Sequence, residues 1–196
     1  MGSKKVKRRL LLAARPSLRK HPRPPKARTL MGESFSMANF ASALVLQHCQ
    51  ECHTINYPSR ERCRNCLSDD FRWRQTDSAG EIVSCSQINV SQWEFFKRKV
   101  KDAPWPIASV RVAGQILFTH LAIDTFSELA KSKQANTGEQ PRSNENPYLL
   151  APGTLVNVFS QSDTAKKSVL IAVSADTDIS LASQRKAIAI NLGIAE

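Results

Sequence analysis

Four cysteines in two pairs have the clearest chemistry in this chain. Cys49 and Cys52 form one Cys-x-x-Cys pair, Cys63 and Cys66 form a second, and ten residues separate the pairs. A Cys-x-x-Cys turn brings two thiolates close together, and two such turns supply the four ligands of a tetrahedral Zn²⁺ site with bonds of about 2.3 Å. The spacing therefore predicts one metal centre held by these four side chains.

Four sulfur ligands leave no coordination position for water or substrate, so we predict a structural Zn²⁺ rather than a catalytic one. Iron bound as in rubredoxin-type sites is the alternative for the same ligands. His48 and His53 flank the cysteines and are interpreted as ordinary surface histidines. Cys85 falls in a predicted strand and is interpreted as a small buried apolar side chain.

The net charge of +11 is concentrated at one end of the 196-residue chain. Eleven of the 28 Lys and Arg residues precede residue 30 without an acidic residue among them, and the other 17 balance the 17 Asp and Glu residues. Residues 1–36 are therefore interpreted as a basic, disordered tail. An organellar targeting peptide, or sequence upstream of a later start at Met31 or Met37, is the alternative.

The composition also bears on location. No run of about 18 apolar residues occurs, so we predict no membrane span. The chain shows no convincing secretion signal, and cysteines that bind metal suit a reducing compartment. We therefore expect a cytoplasmic protein.

The elements that position the cysteines form three consecutive units. Residues 37–76 are predicted to hold a short helix, based on the spacing of Met37 and Phe40, followed by the cysteine module and an alternating strand at 71–74. Five strand candidates follow, at 81–90, 107–112, 115–123, 154–160 and 168–173. They predict a small β-barrel over residues 77–176, with an insertion at 124–153 interpreted as a long loop. Residues 177–196 are interpreted as a C-terminal helix or tail.

The cysteine module and the strands resemble the DUF35 family. The resemblance rests on the two Cys-x-x-Cys pairs with Tyr57-Pro58-Ser59-Arg60 between them, on Trp73 and Gly80, and on the segments 106–112 and 150–156. It implies a mostly β protein in which an N-terminal rubredoxin-like zinc ribbon precedes a five-stranded OB-fold barrel, with short flanking helices.

The resemblance also implies a function. Members of the family are commonly non-catalytic partners of thiolase-like or other acyl-CoA enzymes, and some are proposed to bind the acyl-CoA. We therefore expect an accessory subunit in an enzyme complex rather than an enzyme on its own. No Ser/His/Asp motif, glycine-rich phosphate loop or HExxH motif occurs in the sequence, in agreement with this expectation.

One aromatic and basic segment, between the first two barrel strands, is the candidate ligand site. Its members are Trp93, Phe95, Phe96, Lys97, Arg98, Lys99 and Trp105. The basic side chains would meet the phosphates of CoA, and the aromatic rings would border the ligand face of the barrel. The alternatives are that the rings cap the barrel core and that the charges are simply solvated.

Single-stranded nucleic acid is the other ligand considered for this segment. Stacking rings beside basic residues suit single strands. The balanced charge of residues 30–196 disfavours this function, because a nucleic-acid-binding domain carries its basic residues on its folded surface.

Overall fold

The computed structural model of the chain describes residues 29–40, 43–101, 103–126 and 150–195. Most of the predicted basic tail (1–28) and of the predicted insertion (127–149) lies outside the described residues. The helices are α1 (Leu30–Ala38), α2 (Glu94–Lys99) and α3 (Ala182–Asn191), with a 3₁₀ turn at Ile123–Phe126. The strands are β1 (Val45–Cys49), β2 (Ile55–Asn56), β3 (Phe71–Gln75), β4 (Ala79–Ile88), β5 (Trp105–Val112), β6 (Gln115–Leu121), β7 (Leu155–Ser162) and β8 (Ser168–Ser174).

The first helix lies earlier than predicted. α1 begins after Thr29, whose hydroxyl accepts a hydrogen bond from the amide of Gly32 at 3.2 Å. The helix ends before Asn39, whose side chain donates to the carbonyl of Val45 at 2.9 Å and accepts from its amide at 2.8 Å. The predicted boundary between tail and ribbon, at 36/37, therefore falls inside α1. Met37, which carried the helical spacing, is 79% exposed.

The cysteine module is a three-stranded antiparallel sheet with the order β2-β1-β3. The predicted strand at 71–74 is confirmed as β3, in which the half-buried Phe71 and Trp73 alternate with exposed arginines. β1 was not predicted, since its sequence, Val-Leu-Gln-His-Cys, mixes apolar and polar residues without alternation. Its polar Gln47 is buried because its side chain bonds the backbone of Arg60 in both directions, each bond 2.9 Å long.

The remaining five strands form a closed barrel with the order β4-β5-β6-β8-β7. All neighbouring strands are antiparallel except β6 and β8, which run parallel. This order and its closure are those of the OB-fold, a five-stranded Greek-key barrel. The five predicted strands are thus confirmed, as is the mostly β fold.

The barrel interior continues into the ribbon. Val110, Leu117 and Val158 are fully buried inside the barrel, as the alternation along each strand requires. Leu44 and Leu46, at the start of the ribbon, are also fully buried and belong to the same apolar cluster. Ribbon and barrel therefore share one hydrophobic core.

A second apolar cluster covers the outside of the barrel. Trp105 on β5, Phe159 on β7 and Ile171 on β8 pack there with Ala189 of α3. Residues 177–196, expected to form a helix or a tail, contain helix α3. It serves to seal the outer face of the barrel.

Gly80 offers a test of how tightly the barrel closes between β4 and β5. A Cβ atom at this position would lie 2.7 Å from the carbonyl oxygen of Arg111 and 2.7 Å from Cγ2 of Val112. Because backbone cannot yield as a flexible side chain does, we expect Gly80→Ala to reduce the free energy of unfolding by about 1–3 kcal/mol, measured by urea denaturation.

Ala113→Gly is the matched control for Gly80→Ala. Ala113 is exposed and has a φ of 46°, a left-handed conformation that costs a non-glycine residue about 1–2 kcal/mol. Glycine there should leave stability unchanged or raise it. Equal stability of Gly80→Ala and the wild-type protein would show that the barrel seam yields locally.

Candidate functional site

The four predicted metal ligands converge on one point. Their Sγ atoms all lie within 4.8 Å of one another. The shortest separations are 3.4 Å between Cys49 and Cys66 and 3.5 Å between Cys52 and Cys63. Four sulfurs bound tetrahedrally at about 2.3 Å from a zinc ion are about 3.8 Å apart, so the donor set fits Zn²⁺. The ribbon thus presents a structural zinc site, as predicted.

Two similar backbone turns hold these sulfurs. In each turn the amide of the first cysteine donates to a carbonyl five residues later: Cys49 to Thr54 at 3.0 Å and Cys63 to Ser68 at 2.8 Å. The residue after the second cysteine of each pair has a left-handed backbone, with φ of 58° at His53 and 62° at Leu67. Glycine adopts this conformation more easily than other residues, so histidine and leucine at these positions carry local backbone strain.

The surroundings of Cys52 and Cys63 favour their thiolates. For Cys66, despite a hydrogen bond from the backbone of Ser68, the neighbouring Cys52 sulfur raises the pKa to about 12. The amide of Asn65 donates to the sulfur of Cys63 at 3.5 Å. The hydrogen bond from the backbone amide of Cys66, the largest contribution, also lowers the pKa of Cys63. Contact with the hydroxyl of Thr54 lowers the pKa of the Cys52 thiol to about 5. Deprotonated thiols are the form that binds metal.

The flanking histidines do not complete the metal centre. His53 is exposed, as expected for a surface residue. His48 is only half-buried, and its pKa is lowered by burial and by the nearby Arg74. Within the described residues the four cysteines are the only group of three or more side chains placed to hold a metal ion.

We expect the purified protein to contain about one zinc ion per chain, measured by elemental analysis. Cys63→Ser should lose the metal and lower the melting temperature, because small four-cysteine modules depend on the ion for folding. Cys85→Ser is the control, since Cys85 lies outside the cluster, and it should keep its zinc. A folded wild-type protein without metal would contradict a structural zinc site.

The aromatic residues of the candidate ligand segment are mostly packed inside the structure. Phe95 is 3% exposed and Trp105 is 8% exposed. Their rings and that of Phe96 meet edge to face, with centroids 5.0 to 6.2 Å apart. This arrangement supports the interpretation that the rings cap the barrel. Trp93, by contrast, is 63% exposed.

The basic residues of the same segment point in different directions. Lys97, Arg98 and Lys99 are consecutive on α2, so they do not share a face. Arg98 forms an ion pair with Glu94 at 2.7 Å. The Nζ of Lys99 lies 5.9 Å from the ring centroid of Phe95, within cation–π range. A ligand-binding role for this segment stays a prediction, with Trp93 and Lys97 as its accessible members.

A cleft that the sequence did not indicate lies between the ribbon and the barrel. It has a volume of about 400 Å³. One wall is formed by Phe35 of α1 and Tyr57 of the ribbon, whose ring centroids are 6.1 Å apart. The opposite wall is the outer face of the barrel, with Phe118 and His120 on β6 and three serines, Ser84, Ser86 and Ser109. These residues are far apart in sequence and carry no shared motif.

His120 is the most unusual side chain of the cleft. The indole N–H of Trp105 donates a 3.0 Å hydrogen bond to its Nδ1. Burial lowers the pKa of His120 to about 4, so the imidazole is neutral at physiological pH.

His120 should make stability depend on pH. Its pKa of about 4 in the folded protein lies below the unfolded value of about 6.5, so between these values the unfolded chain binds more protons. Stability should therefore be full above about pH 6.5 and fall as the pH drops toward about 4. We expect an NMR titration of the imidazole to show no transition between pH 8 and 5.5.

His120→Phe is the comparison variant for this effect. The loss of stability between pH 7 and 5, measured by urea denaturation, should be smaller in the variant than in the wild type. A titration midpoint near 6.5 would show that the imidazole is solvated rather than buried.

No helix among the described residues is long and apolar enough to cross a membrane.

The fold and the metal site together define the class of protein: a zinc ribbon joined to a closed five-stranded barrel. Residues 42–72 match the family model described as "ChsH2, rubredoxin-like zinc ribbon domain". The chain is also similar to a solved chain of the Ltp2-ChsH2(DUF35) aldolase, with 19% identity, a TM-score of 0.53 and coverage of 78% of this chain and 99% of that one. A comparison with curated protein sequences gives no match.

The two similarities agree with the geometry. The ribbon match covers the segment that carries the four cysteines, and the similar fold extends over nearly the full length of the solved DUF35 chain. The chain therefore has a ChsH2-type rubredoxin-like zinc ribbon and the fold of a DUF35 protein. The predicted resemblance to the DUF35 family is confirmed.

Proposed function

We propose that this protein is a non-catalytic accessory subunit that binds a thiolase-like or other acyl-CoA enzyme, together with an acyl-CoA, and supports that enzyme's activity. The observation that carries the proposal is the shared fold with the DUF35 chain of an Ltp2-ChsH2 aldolase, over 99% of that chain. Ribbon and barrel occur here in the same combination, so the whole unit is available for the same kind of assembly.

The chemistry of the described residues supports an accessory role. The metal site has four sulfur ligands and therefore no open position for a reacting group. The histidine in the cleft already accepts a hydrogen bond through Nδ1 and so is not paired with a nucleophile through that atom. These features suit a subunit that binds and positions a substrate for a partner.

The exposed aromatic side chains of the barrel support a contact surface. Phe118, at the mouth of the cleft, is 67% exposed, and Trp93 is 63% exposed. Phe118 lines the cleft whereas Trp93 does not, so Phe118 is the exposed ring that would extend the cleft into a contact surface. It would be covered on binding the partner or the acyl group.

Single-stranded nucleic acid is the second candidate ligand. Phe118 lies on β6, and in OB-folds the face of the second and third strands binds oligonucleotides. Against this candidate, no Lys or Arg is among the described residues that line the cleft, whereas nucleic-acid sites depend on cationic side chains.

Affinity purification of the tagged full-length chain from its native host tests the proposed function. We expect a thiolase-like or other acyl-CoA enzyme in the eluate, and we expect an acyl-CoA to raise the melting temperature of the protein, since a ligand of the folded state stabilises it. Cys85→Ser is a folded control that should recover the same partner. Absence of any such enzyme and of any shift in melting temperature would contradict the proposal.

Binding to single-stranded RNA at two salt concentrations separates the two candidates. Tight binding that weakens steeply with salt and persists after deletion of residues 1–28 would favour the nucleic-acid function.

A further inference from the structure

We propose that the cleft between ribbon and barrel binds the acyl arm of a thioester, and that the Nε2–H of His120 donates a hydrogen bond to the thioester carbonyl. This inference deepens the proposed function, on which it rests for the choice of an acyl thioester. It assigns the ligand class of the cleft and its specificity-determining residue.

The hydrogen bond from Trp105 fixes the tautomer of His120. An indole N–H can only donate, so Nδ1 of His120, 3.0 Å away, must be the acceptor. A neutral imidazole with Nδ1 as acceptor carries its proton on Nε2. If Nδ1 were protonated, its N–H would face the indole N–H of Trp105, and neither group could accept a hydrogen bond. Burial also disfavours the charged imidazolium, which lowers the pKa of His120. His120 is thereby held as a neutral hydrogen-bond donor.

The donor is available to a ligand. His120 lines the cleft, and among the described residues the bond from Trp105 is the one hydrogen bond of its imidazole. The ring is held in place by two aromatic contacts, with centroids 5.7 Å from Trp105 and 5.9 Å from Phe96. Nε2 is not among the buried polar atoms that lack a partner, so this N–H is accessible and can donate to a ligand that displaces water from the cleft.

The lining selects against charged groups. None of the described lining residues is Asp, Glu, Lys or Arg. A charged ligand group would lose its hydration there without meeting an opposite charge, which is costly. A carboxylate or an ammonium group is therefore disfavoured, and a thioester or ketone carbonyl is suited.

The remaining walls fit an apolar chain. Three aromatic rings (Phe35, Tyr57, Phe118) and three aliphatic side chains (Ile107, Val169, Leu170) contribute to the lining. A volume of about 400 Å³ lies within the usual range of small-molecule sites, about 300–1,000 Å³. The serine hydroxyls can rotate to donate or accept, so they do not choose between ligands as the fixed imidazole does.

A matched pair of ligands tests the carbonyl contact without a partner enzyme. S-hexanoyl-N-acetylcysteamine carries the thioester carbonyl, and S-hexyl-N-acetylcysteamine replaces that carbonyl by a methylene group. We expect the wild-type full-length chain to bind the thioester roughly threefold to tenfold more tightly, the effect of one hydrogen bond, measured by calorimetry. Hexanoate should bind more weakly than the thioester.

Variants assign the contact to His120. His120→Phe keeps an aromatic ring but removes the donor, so the preference for the thioester should disappear while binding of the thioether is retained. His53→Asn is the matched control: His53 lies outside the cleft, and asparagine tolerates its left-handed backbone. This variant should keep the full preference.

NMR of the wild-type protein provides a readout that does not require a variant to fold. The imidazole ¹⁵N shifts should show the Nε2–H tautomer, and the Nε2–H proton should move downfield with the thioester but not with the thioether. An Nδ1–H tautomer, equal binding of both ligands, binding of neither, or a preference that survives in His120→Phe would overturn the proposal.

These outcomes are separate from the test of the proposed function. Recovery of a partner enzyme together with no binding of the thioester would leave the accessory role standing and reject the cleft as the acyl site. Displacement of the thioester by single-stranded RNA would also reject it, in favour of a nucleic-acid face.

Discussion

The convergence of four sulfur atoms is the constraint on which the rest of the structure depends. A ribbon of about thirty residues cannot bury enough apolar surface to fold alone, and the segment between β1 and β3 contributes few buried apolar side chains beyond the cysteines. The metal site joins its two turns, and Leu44 and Leu46 extend the ribbon into the barrel core. The position of the ribbon wall of the cleft, including Tyr57, follows from these two anchors.

Helix α1 connects the same two units by a different kind of contact. Its Glu33 pairs with Lys167, and Ser36 exchanges hydrogen bonds of 3.2 and 3.3 Å with Ser168 at the start of β8. Asn39, at its end, bonds the backbone of β1. Polar contacts on both sides of α1 therefore hold Phe35 against Tyr57, and they fix the wall of the cleft that these two rings form.

The sequence predicted the features that depend on local pattern. Two Cys-x-x-Cys pairs indicate a metal centre whatever the surrounding fold. Alternating apolar residues along β5 and β6 indicate strands with one face in an apolar core. Features that depend on long-range pairing were not predictable. β1 is buried through a glutamine that bonds the backbone of Arg60, and α1 packs on β8 through hydrogen bonds between Ser36 and Ser168. Trp105 and His120 meet only because β5 and β6 pair in the register that places Ile107 opposite His120.

The same distinction separates the predicted ligand segment from the cleft proposed as the acyl site. The segment at 93–105 was predicted to bind a ligand because aromatic and basic residues are adjacent in its sequence. Consecutive positions on a helix diverge, however, and the rings of Phe95, Phe96 and Trp105 pack inward to cap the barrel. One of those rings, Trp105, instead sets the hydrogen-bonding state of a histidine on the next strand. The segment thereby contributes to the cleft indirectly, through a neutral donor in an uncharged site. A metal site that only stabilises the fold and a neutral hydrogen-bond donor in the cleft suit the proposed role, in which a ligand is bound and oriented but not chemically changed. This is the chemistry that an accessory subunit of an acyl-CoA enzyme requires.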